Sequence, residues 1–286
     1  MPGTSTATTR LVDGYDAVLL DLDGVVYVGQ HAVPGAVAVI NTLQAEGIPI
    51  RYLTNNASRP PRVVGDHLRG LGIGADDDDV VTSAQVAADL VAARVSPGSA
   101  VLVVGGDGLV EALRLRGLVP VSTFDDDPAA VVQGFAPGVD WRLLHEGVRA
   151  VRAGLPWIAC NLDRTIPTAT GTGPGNGLLV DVVRQVTGIE PLVAGKPERP
   201  LVDKAVATAG AKRPILVGDR LDTDVAAARA SGCDSLFVLS GVHTRLDALS
   251  LEPEHRPTFV GDDLRALLHP PTVLAPVPLD RSGDAG

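Results

Sequence analysis

Four apolar runs, each the length of a β-strand, stop abruptly in polar residues. Ala17–Leu20 runs into Asp21-Leu22-Asp23-Gly24, Ile48–Leu53 into Thr54-Asn55-Asn56, Pro191–Ala194 into Gly195-Lys196-Pro197, and Pro214–Val217 into Gly218-Asp219-Arg220-Leu221-Asp222-Thr223-Asp224. Carboxylates form strands poorly and are costly to bury, so a chain that ends its strands this way must need them there. In an open parallel sheet all strands present their carboxyl ends to one edge, and ligands bind at that edge. Groups spread over about 200 residues of sequence can then converge.

The rest of the pattern predicts such a sheet. Val37, Ile40 and Leu43 share one helical face between Pro34 and Gly47, and further helical patterns run over about 61–71 and 84–93, the latter after a short Val80-Val81 strand. A second alternating block starts near Val101, with strand-like "VLVVGG", "AAVVQGF" and "PWIACN" separated by helices near 108–116 and 141–153. Strands resume with "PLVAGKP", "PILVGD" and "SLFVLS", with helices at about 200–209 and 223–230. Strand–helix alternation of this kind implies an α/β protein whose parallel sheet is covered on both faces.

Three carboxylates gathered at one edge repel; a unit pair at ~4 Å costs about 4 kcal/mol at an effective dielectric of ~20. A positive charge must sit among them. These motifs contain no histidine or cysteine, so the ligands are all oxygen and the cation is hard. Mg2+ suits best, because it keeps several waters and uses one or two carboxylates with substrate phosphate oxygens. Lys196, Thr54 and Asn55 then supply donors for an anion, and together these are the working parts of phosphoryl transfer.

DLDGVV, TNN, GKP and GDRLDTD, in that order, resemble the haloacid dehalogenase (HAD) superfamily of phosphohydrolases, from about Asp16 to Leu268. The resemblance implies a Rossmann-like, doubly wound core. It makes Asp21 the nucleophile that forms an aspartyl-phosphate, and Asp23 the acid that protonates the leaving alcohol and then deprotonates water. It places Mg2+ on the carboxylates of Asp21 and Asp219 and the carbonyl of Asp23. Thr54, Lys196 and the amide of Asn55 bind the phosphoryl oxygens, and Asp224 orients the metal's water shell or Lys196.

Only 33 positions separate Asp21 from Thr54, which one helix and one strand already fill, whereas 142 separate Thr54 from Lys196. The latter is far too long for one connection, so a second α/β unit is inserted there, the C2 arrangement of cap. We expect a loose tail over 1–13, a hydrolase core over 14–95 and 191–268, a cap over 96–190 and a Pro-rich tail over 269–286. "DGVVYVGQHAVPGA", "LTNNASRP", "NLDRTIPTATGTGPGNG" and "FVLSGVHT" are similar to class IIA members, which include p-nitrophenylphosphatase-like enzymes and phosphoglycolate, glycerol-phosphate, pyridoxal and nucleotide phosphatases. Asn161, Asp163 and Arg164 in the cap could border the substrate or build a turn. With 3% aromatics the chain offers few rings to stack on a base, which favours a small phosphate such as glycerol 3-phosphate or phosphoglycolate over pyridoxal phosphate or a nucleoside monophosphate.

A net charge of −10 argues against nucleic acid or an anionic membrane as partner, since both reward basic patches. Two cysteines without a CxxC, and a start lacking a hydrophobic signal core, fit a cytoplasmic protein. Cap surfaces in this class can mediate dimers, which leaves a homodimer open. Asp76–Asp79 reads as a solvated turn, and "VVGGDG" at 103–108 as a packing turn without a full dinucleotide fingerprint. Two rivals from other classes remain: a phosphoacceptor signalling module, which lacks an acid two residues after its nucleophile, and a silent sugar-phosphate binding protein.

Overall fold

The computed structural model describes residues 9–168 and 171–273. Its strands are β1 Ala17–Asp21, β2 Tyr27–Val28, β3 His31–Ala32, β4 Ile50–Thr54, β5 Val80–Thr82, β6 Ala100–Val104, β7 Val119–Val121, β8 Ala130–Gln133, β9 Trp157–Ala159, β10 Thr165–Thr168, β11 Gly171–Pro174, β12 Leu192–Val193, β13 Pro214–Gly218, β14 Asp234–Val238 and β15 Phe259–Gly261. The helices are α1 Ala36–Ala45, α2 Pro61–Gly70, α3 Ser83–Ala92, α4 Asp107–Leu115, α5 Trp141–Arg152, α6 Asn176–Thr187, α7 Arg199–Ala209, α8 Ala226–Ser231 and α9 Arg245–Ser250.

Six strands form one parallel sheet in the order β15-β14-β13-β1-β4-β5. The central strand β1 is buried on both faces, and its side chains divide by parity. Val18 and Leu20 join Ile40 and Leu43 of α1 and Val64 and Leu68 of α2 on one side, while Leu19 packs with Ala87 and Val91 of α3 and Leu201 and Val202 of α7 on the other. This is the period-two alternation of a strand covered on both faces.

A second parallel sheet, β12-β9-β8-β6-β7, lies beyond α3. Its outer face packs on α5 and α6 through Leu102, Val131, Val151 and Val180. Its inner face places Val101, Val103, Val132 and Ile158 in the same apolar cluster as α3, α4 and Leu19, Leu53 and Leu216 of the first sheet. The two sheets therefore share one continuous core through α3.

Three boundaries differ from expectation. Leu192–Val193 pairs with Ile158–Ala159 and so extends the second sheet, where "PLVAGKP" reads as a strand of the first. The tail expected over 1–13 is already anchored at Arg10: Leu11 and Val12 are buried, Leu11 N donates to His269 O at 2.8 Å, and Arg10 pairs with Asp13 and Glu46. His269 and Thr272, expected in the Pro-rich tail, are likewise held, since Val260 N donates to Thr272 O at 2.8 Å. Residues 1–8 and 274–286 of those tails lie outside the described residues.

The Asp76–Asp79 run forms a tight turn paired with Arg51 and Arg69. "VVGGDG" brings α4 directly onto the loop after β4, where a side chain at Gly108 would run into the carbonyl of Ala57. Gly108→Ala should therefore lose about 1–3 kcal/mol of stability in urea unfolding, as overpacked sites do. An unchanged midpoint would show that this approach is not close-packed.

Candidate active site

The register of the first sheet assembles the polar strand ends. Asp21 lies level with Leu53 of β4, one residue before Thr54, and Leu20 lies level with Val217, two residues before Asp219. Lys196 arrives on the loop that returns from the second sheet. Its Nζ donates to Asp21 Oδ1 at 2.5 Å and to Asp224 Oδ1 at 2.6 Å, and only 2% of the residue is exposed. Asp224 is brought in by one wide helical turn over Leu221–Val225, closed by Val225 N on Arg220 O at 3.1 Å, and its Oδ2 accepts from Arg220 N at 3.0 Å. Both oxygens of Asp224 are thus engaged within the protein.

Asp219 differs. It is fully buried, its Oδ2 accepts from Val242 N at 2.7 Å, and its buried Oδ1 has no hydrogen-bond partner among the described residues. Gly24, at φ +87°, passes so close that a Cβ there would strike this carboxylate. One oxygen each from Asp21, Asp219 and Asp224 lie within 4.8 Å of one another. An orphaned buried carboxylate oxygen costs free energy unless something positive meets it. An oxygen-only set of this kind fits a hard divalent cation.

The electrostatics follow from this crowding. Burial pushes the Asp21 carboxyl well above its ordinary value; Lys196 opposes that push, while Asp224 and Asp219 reinforce it. Burial, with repulsion from Asp224, raises Asp219 to about 6. Burial works against the charged form of Lys196, yet Asp21 and Asp224 outweigh it and hold the ammonium above its usual value. Asp23 stands at the open mouth of the edge. Surrounding protein pushes its carboxyl up against the pull of Arg59, Lys196 and His67, and contact with water screens that push.

Thr54 is buried beside this cluster, its Oγ1 accepting from Asn56 N at 3.0 Å, which leaves the hydroxyl hydrogen free to donate. The side chain of Asn55 turns away from the edge, toward the main chain of Lys196 and toward Asp163. Asn161 is buried and donates to Asn55 O at 2.6 Å, so the cap turn touches the site through Asn55. Arg164 is not brought in: it is exposed and pairs with Asp181 at 2.8 Å. Sequence reasoning missed Arg59, whose positive charge acts on both Tyr27 and Asp23; its only signal was its place just after the Thr54-Asn55-Asn56 turn. A surface cleft lined by Leu11, Arg245, Asp263, Arg265 and His269 contains none of these groups.

Residues 18–119 match the model for haloacid dehalogenase-like hydrolases, and residues 193–267 that for HAD-hydrolase-like proteins. The chain is 45% identical to D-glycerol 3-phosphate phosphatase of Mycobacterium tuberculosis over 92% of its own length and 74% of that protein. It belongs to the haloacid dehalogenase-like hydrolases, among their phosphatases. It is also 38% identical to an acid sugar phosphatase of Staphylococcus saprophyticus, over 89% of this chain and 97% of that one. The crystal structure of the Mycobacterium tuberculosis glycerol phosphate phosphatase in complex with magnesium superposes with a TM-score of 0.86 at 44% identity, covering 91% of this chain and 78% of that one. The p-nitrophenyl phosphatase of Archaeoglobus fulgidus does so with a TM-score of 0.82 at 30% identity, covering 89% and 98%. Like them, this HAD phosphatase carries a second α/β sheet beside its core. Among the described residues no helix is long and apolar enough to cross a membrane.

The raised Asp219 carboxyl has a consequence for stability. Its folded-state value, about 6, lies above the 3.8 of the unfolded chain, so without a cation the ionised form costs stability above that window and nothing below it. Metal-free Asp219→Asn should melt above the wild type at pH 7.5, with the gap closing as pH falls from 6 toward 4. Added Mg2+ should raise the melting temperature of the wild type more than that of the variant. Equal melting curves under both conditions would count against a cation at Asp219.

Proposed function

We propose that this phosphatase hydrolyses glycerol 3-phosphate, or a phosphomonoester of similar size, with Asp21 carrying the phosphoryl group in transit. The observation that carries the reading is the Lys196 ammonium held between Asp21 and Asp224, next to the orphaned oxygen of Asp219. The 45% identity to a D-glycerol 3-phosphate phosphatase supports the substrate.

Lys196 fixes Asp21 through Oδ1, so the other carboxylate oxygen is the attacking atom. It forms a bond to phosphorus as the bond from phosphorus to the alcohol oxygen breaks. Asp23, two residues on in extended backbone, faces the same pocket and gives its proton to that leaving oxygen. Its carboxylate then takes a proton from a water that attacks phosphorus. The Asp21–phosphorus bond breaks, inorganic phosphate leaves, and Asp21 is restored. Thr54 Oγ1, the main-chain amide of Asn55 and Lys196 Nζ bind the phosphoryl oxygens throughout. Asp224 holds Lys196 against Asp21. Mg2+, bound by Asp21, Asp219 and the carbonyl of Asp23, would neutralise charge on the phosphoryl group. Arg59 and Tyr27 border the leaving-group side, beside Asp23.

Free thiols at Cys160 and Cys233 support a reducing, cytoplasmic setting. We read residues 96–193 as the cap, with the hydrolase core on either side of it.

With Mg2+, glycerol 3-phosphate should be turned over with a kcat/KM at least about tenfold above pyridoxal phosphate or a nucleoside monophosphate. The reverse ranking in a phosphomonoester panel would overturn the substrate. Asp21→Asn should lower kcat on an aryl phosphate by about three decades or more, the scale of losing a nucleophile, while remaining folded. Substantial residual turnover would place the nucleophile elsewhere.

A further inference from the structure

We propose that Asn55 is a positioning residue, whose carboxamide clamps the main chain of Lys196 and ties that lysine to the Asn161–Asp163 turn of the cap. The kinetic part of this proposal rests on the phosphatase reading above.

The contacts are reciprocal. Lys196 N donates to Asn55 Oδ1 at 2.8 Å, and Asn55 Nδ2 donates to Lys196 O at 2.9 Å. One carboxamide thus satisfies both the amide and the carbonyl of a buried loop residue that no strand pairs, groups that are costly to leave unmet once buried. The remaining hydrogen on Nδ2 is shared between the two oxygens of Asp163, at 3.2 Å each. The carbonyl of Asn55 accepts from Ser83 Oγ at 2.6 Å and from Asn161 Nδ2 at 2.6 Å, and Asn176 Nδ2, at the start of α6, donates to Asn161 O at 2.7 Å. Asn55, Ser83, Asn161, Asn176 and Lys196 are all buried. A continuous line of hydrogen bonds therefore runs from α6 through Asn161 and Asn55 to Lys196, and from its ammonium to Asp21.

The need for such a clamp lies in lysine itself. Its flexible four-carbon stem reaches two carboxylates at once only if its Cα is held still. Asparagine alone supplies an acceptor and two donors in one plane at this length. Aspartate would lack the donors and place a second charge against Asp163, and glutamine would overshoot by a methylene. Because the side chain faces Lys196, the main-chain amide of Asn55 stays available to the phosphoryl group.

The chain has three lysines, Lys196, Lys204 and Lys212, so ε-13C-lysine labelling gives a spectrum in which each can be assigned. We compare wild type, Asn55→Ser, Asn55→Ala and Asn161→Ala, recording metal-free spectra at one fixed pH and p-nitrophenyl phosphate turnover with Mg2+. In Asn55→Ser the Lys196 resonance should move while those of Lys204 and Lys212 stay, and kcat should fall about a hundredfold, the scale of a 1 Å misplacement, with KM changed less than about threefold. Asn161→Ala should move the same resonance less and lower kcat by about five- to tenfold. If Asn55→Ala shifts all three resonances it has unfolded, and Asn55→Ser and Asn161→Ala decide. An unmoved Lys196 resonance in folded Asn55→Ser, or a loss confined to KM, overturns the proposal. A wild type that turns over no phosphomonoester refutes the phosphatase reading instead, and the spectra still decide whether Asn55 holds Lys196.

Discussion

One ammonium group between two carboxylates organises this molecule. Lys196 meets Asp21 at 2.5 Å and Asp224 at 2.6 Å in a setting from which water is almost excluded. Without it, three acidic groups within a few ångströms would lose the ammonium that bridges two of them. Buried ion pairs are weak contributors to stability once desolvation is counted, so this arrangement is better understood through chemistry. It fixes one oxygen of Asp21 and leaves the other free of the lysine. The strand register, the wide turn at Leu221–Val225 and the return of the chain from the second sheet all deliver side chains to this point.

Much of this was legible in the sequence because chemistry imposes local wording. A strand that ends in Asp21-Leu22-Asp23-Gly24 has few other uses, and the alternation of strands and helices defines the edge at which it must open. The cluster of Asp21, Lys196, Asp219 and Asp224 could be anticipated from four short motifs in order. The 142-residue gap between Thr54 and Lys196 likewise announced a second folded unit.

What escaped notice depends on long-range pairing. Leu192–Val193 looks the same whichever sheet it joins, and only its pairing with β9 decides the matter. Arg10 and Leu11 carry no signal that His269 and Glu46 will hold them. Asn55 reads as one more polar residue in a phosphate loop, but its side chain bonds a backbone 141 positions away. Arg164 sits in a promising polar segment, yet an exposed guanidinium with Asp181 in reach has no reason to turn inward. Local sequence reports what a residue can do, and distant chain decides which option it takes.

The apolar layer around α3 has an evolutionary consequence. Leu19 and Leu53 of the catalytic sheet and Val101 and Ile158 of the other belong to one cluster, with α3 as the shared filling. The inserted unit is therefore no interchangeable cassette. A substitute borrowed from another hydrolase would have to reproduce the surface that meets α3 as well as the turn that meets Asn55. Change is thereby steered to side chains outside this seam, which stays under constraint from both halves at once.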